Sequence, residues 1–194
     1  MRNGARNGNR QQTAANGAQP ELLDVAIIGA GAAGVGCGIL LRTLGIPRFA
    51  LLERHDIGAS FSRWPQEMRF ITPSFTSNDF NQLDLNAVAL GTSPAYGLRR
   101  EHPSGPEYAD YLQAVAQHFE LPIRTNVEVR QIHPGSKSTG FLLHTSQGEV
   151  RSRFIIWAAG EFQYPRSDGF PGAELCLHNS QVQSWQKLSG EEFL

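Results

Sequence analysis

The chain has 194 residues, 40% of them hydrophobic, and a formal net charge of −1. That suffices for one domain with a real core, and it removes any electrostatic case for nucleic acid or an anionic membrane surface as partner. The two cysteines, Cys37 and Cys176, form no CxxC pair and no metal-ligand cluster, so the expectation is a reducing, cytoplasmic setting with no disulfide framework and no metal site.

Residues 1–23 are dominated by Asn, Gly, Gln and Arg as far as Gln19, with no apolar periodicity and no h-region of a secretory signal. Such a segment buries too little surface to offset its ordering entropy, and it reads as a disordered tail ahead of a domain over 24–194. No apolar run is long enough to span a bilayer.

The run DVAIIG, Asp24–Gly29, is short, β-branched and apolar throughout, the pattern of a strand buried on both faces. A glycine-rich turn follows, then a helical segment expected to place Ala33, Cys37, Leu40, Leu41 and Leu44 along one face and to stop at Gly45. Gly36 and Gly38 lower its helix propensity, which close helix–sheet packing would offset. Cys37 on this face reads as a buried, inert thiol. RFALLER is a second buried strand ending at Glu53. Strand, helix and strand make a βαβ unit with a right-handed crossover.

Between Ile57 and Pro106 the periodicity breaks down, and a stretch of this length is unusual inside a domain unless it is functional. Its segment from Arg63 to Phe80 mixes polar and aromatic residues and suits either a wall of a site or a simple cover on the sheet. A helix is predicted after Ser104, which can cap it, with Tyr108, Tyr111, Leu112, Val115 and Phe119 as its apolar stripe. LPIRTNVEVRQIHP reads as one strand, and GFLLHTSQGEVRSRFIIWAAG as two more joined at Gln147-Gly148. Trp157, at the end of the last, reads as core.

Gly29, Ala30, Gly31, Ala32, Ala33 and Gly34 form a GxGxxG. The first glycine permits the tight turn, the second lets a phosphate approach the backbone, and the third allows close helix–strand packing. The helix N-terminus then offers unpaired N–H groups and a positive dipole end to a pyrophosphate. Glu53, about twenty residues on and at the end of the second strand, stands where a carboxylate takes the ribose hydroxyls. The acid would repel a 2′-phosphate, which disfavours NADP at this turn and leaves NAD or FAD.

Three further segments resemble the flavoproteins that have two dinucleotide-binding domains. These include flavin-containing monooxygenases, Baeyer–Villiger enzymes, and thioredoxin-reductase-like and bacillithiol-disulfide-reductase-like oxidoreductases. LLERHDIGASFSRWP is similar to the segment that runs past the FAD ribose toward the isoalloxazine, which implies contacts from Glu53, Arg54, Ser60, Phe61 and Trp64. TNVEVRQI resembles the strand whose backbone meets the adenine near Val127. FIIWAAGEFQYP resembles the closing ATG…P motif, which implicates Ala158, Ala159 and Gly160. Ala159 stands where many relatives have Thr. FPGAELCLHNS is similar to a monooxygenase FxGxxxH pattern, but Gly172 and His178 are too far apart for it, which counts against Baeyer–Villiger chemistry.

The resemblance implies an α/β Rossmann-like FAD/NAD(P)-binding fold: a parallel sheet flanked by helices, with an antiparallel three-stranded β-meander. It also implies the FAD-binding portion of an NAD(P)H-dependent, monooxygenase-like flavin oxidoreductase acting on a small-molecule substrate or electron acceptor. The sequence contains a single GxGxxG, and its final EEFL resembles the start of the strand that leads to a second one in relatives. The expectation is therefore a chain truncated before an NAD(P)H-binding unit and inactive by itself. A disulfide or quinone reductase, a one-domain NAD dehydrogenase and a non-catalytic nucleotide-binding module remain as alternatives. The meander argues against the dehydrogenase, whose sheet would continue in βα units.

Overall fold

The computed structural model describes residues 22–72, 84–136, 140–161, 165–166 and 168–189. The expected tail, the later half of the 63–80 loop, residues 162–164 near the end of the closing motif and the final EEFL lie outside them, wholly or nearly so.

The two apolar runs become parallel neighbours in the sheet. Strand β1 (Leu22–Ile28) starts two residues before the expected Asp24 and pairs with β2 (Phe49–Leu52) in the register Ile28↔Leu52. Helix α1 (Ala32–Thr43) connects them. The helix does not bury the face expected of it. Gly34, Val35, Gly38 and Ile39 are buried, whereas Leu40 and Leu44 are 57% and 65% exposed and Ala33 is also exposed. The reason is close approach: a Cβ on Gly38 would lie 3.1 Å from Leu51 Cδ1. The helix meets the sheet through its small residues, and Cys37, only half-buried, packs beside them with Leu41.

The predicted single strand from Leu121 to Pro134 divides in two. β3 (Ile123–Arg124) pairs in parallel with β2, while β4 (Val129–Pro134) belongs to the meander. The break is at Asn126, whose φ of 58° is a left-handed conformation that Asn tolerates better than most residues. β5 (Phe141–Thr145) and β6 (Gly148–Trp157) follow as expected. The sheet is mixed and six-stranded, in the order β3-β2-β1-β6-β5-β4. β6 joins its two parts: Gly148–Ser152 pair antiparallel with β5, and Arg151–Trp157 run parallel to β1. One apolar cluster, including Ile28, Leu52, Val127 and Leu143, packs on the meander side, and another, including Ile27, Phe49 and Leu51, lies under α1.

Among the described residues, the irregular middle of the chain holds two short helices, α2 (Ala59–Ser62) and α3 (Pro94–Leu98). Asp84 is fully buried, and its carboxylate accepts hydrogen bonds from Asn86 N, Ser93 Oγ and Ala95 N, so it shapes the loop from inside. Helix α4 (Gly105–His118) carries the expected stripe and begins in a capping box between Ser104 and Glu107. Backbone and hydroxyl donation from Ser104 holds the Glu107 carboxyl below the usual carboxylate range. Among the described residues no helix is long and apolar enough to cross a membrane.

Candidate functional site

The carboxyl ends of β1, β2 and β6 open onto a trough, in the place where open α/β sheets bind ligands. At its centre is the glycine turn. Gly29 has φ 104°, and a Cβ there would lie 2.4 Å from the carbonyl oxygen of Ala158. Gly34 is equally constrained: its Cβ would come within 2.0 Å of Gly29 O. Gly31 differs: among the described residues, its chain neighbours apart, nothing lies within 4 Å of the position its Cβ would take. It is the N-cap of α1 and provides no side-chain cap, and the first turn of the helix contains no acid. The first N–H groups of the helix have no intrahelical partner, and the space over Gly31 beside them is open.

Glu53 braces the turn from β2. Its Oε2 accepts the Ala30 N–H at 2.7 Å and its Oε1 accepts the His55 N–H at 2.8 Å. Ala30 is fully buried, and its carbonyl accepts the N–H of Gly58 at 3.0 Å, which ties the entry of α2 to the glycine turn. Each Glu53 oxygen retains a lone pair for a ribose hydroxyl, so the carboxylate can serve turn and ligand together.

Three contiguous cavities make up the trough. The central one, about 440 Å³, is lined by Gly29, Gly31, Ala32, Ala33, Glu53, Ser60, Phe61, Ala158, Ala159 and Gly160 among others. A second, about 340 Å³, extends over Arg54, Val127 and Glu128, where Arg54 and Glu128 form an ion pair at 3.1 Å. A third, about 350 Å³, extends the other way over Trp64, Met68, Asn179 and Ser180. Of the residues singled out in the sequence, Ala30 and Gly34 are absent from all three linings and support the turn from beneath. Val127 lies before β4 rather than within it, buried, and its N–H is donated to Glu53 O at 2.8 Å. Trp64 is half-buried in an aromatic cluster with Phe61 and Phe70, to which Tyr108 adds a fourth ring.

Several lining residues had no signal in the sequence, or the wrong one. Glu161 borders all three cavities, immediately after the closing glycine. Trp157 is not core: it is 66% exposed and lines two of the cavities. Asn179 and Ser180 arrive from a distant segment whose position is fixed by Glu67, which accepts hydrogen bonds from Ser184 Oγ and Trp185 N. The Ser184 hydroxyl is the main cause of a lowered Glu67 pKa. His178 serves locally, its Nδ1 capping the turn at Ser180. Among the described residues the lining of the central cavity has two acids and no Lys or Arg, so these residues offer an anion there only backbone N–H groups and the α1 dipole.

The chain is similar to several known proteins. The family model described as pyridine nucleotide-disulphide oxidoreductase matches residues 26–194. A probable indole-3-pyruvate monooxygenase of Arabidopsis thaliana, YUCCA1, is 31% identical over 86% of this chain and 38% of its own length. An uncharacterized oxidoreductase of Bacillus velezensis, CzcO, is 29% identical over 85% of this chain and 44% of its own. The chain thus spans less than half the length of these relatives. Among solved structures, the bacillithiol disulfide reductase of Staphylococcus aureus aligns over 78% of this chain and 43% of its own, with a TM-score of 0.61 and 18% identity. A flavin monooxygenase of Stenotrophomonas maltophilia gives 0.59 at 19% identity, over 77% and 42%. Both share the Rossmann-like fold.

Proposed function

Because the chain belongs to the pyridine nucleotide-disulphide oxidoreductase family, we propose that the trough binds FAD as part of an NAD(P)H-dependent, monooxygenase-like flavin oxidoreductase. The observation that carries this reading is the open space over Gly31 above an uncapped helix N-terminus, continuous with a cavity on either side. That shape suits two ring systems joined through a pyrophosphate. The α1 N–H groups would hold the pyrophosphate, Glu53 the adenosine ribose, the Arg54–Val127 side the adenine, and the Phe61–Trp64 side the isoalloxazine.

When bound, the flavin would accept hydride and pass electrons to oxygen or another acceptor. This chain's own contribution is to bind and orient: a rigid glycine turn, a carboxylate fixed by two backbone N–H groups, and an aromatic cluster behind the flavin end. Among the described residues neither thiol lines the trough. A disulfide or quinone reductase is the alternative, and the likeness to a probable indole-3-pyruvate monooxygenase favours the monooxygenase-like reading. A small-molecule substrate and a reducing, cytoplasmic setting complete the proposal.

Equilibrium titration of the purified protein with FAD, followed by the visible absorbance of flavin, tests it. Saturable FAD binding is expected, with NAD binding much more weakly. Binding of NAD alone would point instead to a dehydrogenase-type site.

Glu53→Gln should reduce both FAD affinity and fold stability. The amide has one carbonyl oxygen for the two N–H groups of Ala30 and His55, and its own NH2 would face whichever donor is left. An unsatisfied donor costs about 1–3 kcal/mol, and a lost charge-assisted bond to the ribose a similar amount. Thermal midpoint and FAD dissociation constant are the readouts. An unchanged midpoint would mean that the clamp contributes nothing to the turn.

A further inference from the structure

The exposure of Trp157 has a specific setting. Trp157 pairs in register with Ile28, and Ile28 with Leu52, so the three form a row across β6, β1 and β2 at the carboxyl edge of the sheet. Paired residues of neighbouring parallel strands project to the same face. Ile28 and Leu52 are buried, whereas Trp157 is 66% exposed. All three line the cavity that also holds Val127 and Val129, and Glu53 borders that cavity where it meets the glycine turn. The slot thus has an apolar floor in Ile28, Leu52, Val127 and Val129, one large aromatic surface left open to water, the Glu53 carboxylate where it meets the glycine turn, and a polar rim that includes Arg54, His55, Glu128 and Glu161.

We propose that Trp157 is a binding residue for the purine base of the dinucleotide, its ring covering the base in the slot beside Val127. The inference rests on the dinucleotide reading of the trough. Two arguments lead to a base rather than to the isoalloxazine, and a third to the Trp157 ring as its contact. The ribose-binding carboxylate opens into this cavity, and a base follows its ribose directly. The opposite cavity already has an aromatic wall in Phe61 and Trp64. A flat heterocycle on an exposed indole removes apolar surface of both from water, and it needs no hydrogen-bond partner from the ring face.

Calorimetric titration with ADP, which has the base, ribose and diphosphate but no flavin, tests the assignment on the intact chain. Wild-type protein, Trp157→Ala and Trp157→Phe are each titrated with ADP and with FAD. Stacking of a base on an aromatic side chain leads us to expect a loss of roughly 10- to 100-fold for both ligands in Trp157→Ala, recovered to within about 3-fold by Phe. Because the side chain is exposed, both variants should keep the wild-type thermal midpoint. ADP should also quench tryptophan emission in the wild type but not in Trp157→Phe. Equal affinities of wild type and Trp157→Ala would overturn the role of Trp157 and leave the dinucleotide site standing. A loss that Phe does not recover would overturn stacking. Failure of the wild type to bind either ligand would overturn this inference and the dinucleotide reading together.

Discussion

Gly31→Val should give a folded protein that no longer retains FAD. The backbone at Gly31 has φ −79° and ψ −169°, an extended conformation that valine adopts readily. Apart from its chain neighbours, no described residue lies within 4 Å of the added Cβ, so the side chain enters open space in the unliganded protein. The space it fills is the approach to the first-turn N–H groups of α1, where a pyrophosphate would sit against backbone. The expected result is a thermal midpoint within a degree or two of wild type, with FAD affinity reduced on the order of 100-fold or more, since the helix N-terminus and its dipole are lost to the ligand together. Gly31→Ala should lie between the two proteins. Wild-type FAD affinity in Gly31→Val would show that no ligand phosphate passes over this residue.

The glycine turn was legible because its determinants are local. A continuous apolar strand, three glycines at fixed offsets and an acid at the end of the next strand all fall between Asp24 and Glu53. The cap at Ser104 was legible for the same reason, although its reciprocal partner Glu107 was not singled out. Reading failed where the deciding contact was distant or made by small residues. On α1, apolar side chains suggested a face through Leu40 and Leu44, but the packed face is Gly34, Val35, Gly38 and Ile39. Hydrophobicity gives no weight to a glycine whose value lies in the close approach of a neighbour such as Leu51.

Trp157 was misread because an aromatic residue at a strand end is usually covered, and only the sheet order shows that it sits on the edge of an open trough beside Ile28. The division of β3 from β4 had a signal in Asn126, which a continuous strand reading passed over. Asn179 and Ser180 had none: their place depends on Glu67, more than a hundred residues earlier in the chain, accepting hydrogen bonds from Ser184 and Trp185. Glu53 was read as a ribose-binding acid and does line the trough, yet its two bonds to backbone N–H groups, which make it a brace for the turn, are invisible without coordinates.

The contrast between two glycines of one motif gives the second large effect. Gly34→Ala should destabilise the protein where Gly31→Ala does not, although both add a single methyl group. At Gly34 the new Cβ would lie 2.0 Å from Gly29 O and 2.9 Å from Gly29 C. Both are backbone atoms, so no side-chain rotamer can relieve the clash. Nor can Gly29 yield easily: its φ of 104° and the 2.9 Å bond from its N–H to Leu52 O fix it to the end of β2. Alanine gains about 1 kcal/mol over glycine in helix propensity, but forcing a methyl into a packed contact costs about 1–3 kcal/mol, and more where backbone must move. The steric term wins, because separating helix from turn also loosens the contacts of the buried Val35 beside it. We expect a net loss of about 2 kcal/mol, a fall of roughly 4–8 °C in the thermal midpoint for a domain of this size. FAD affinity should fall with it, since the same displacement tilts the α1 N–H groups away from the pyrophosphate. A Gly34→Ala protein with the midpoint and affinity of wild type would show that helix and turn do not meet as closely as this geometry requires.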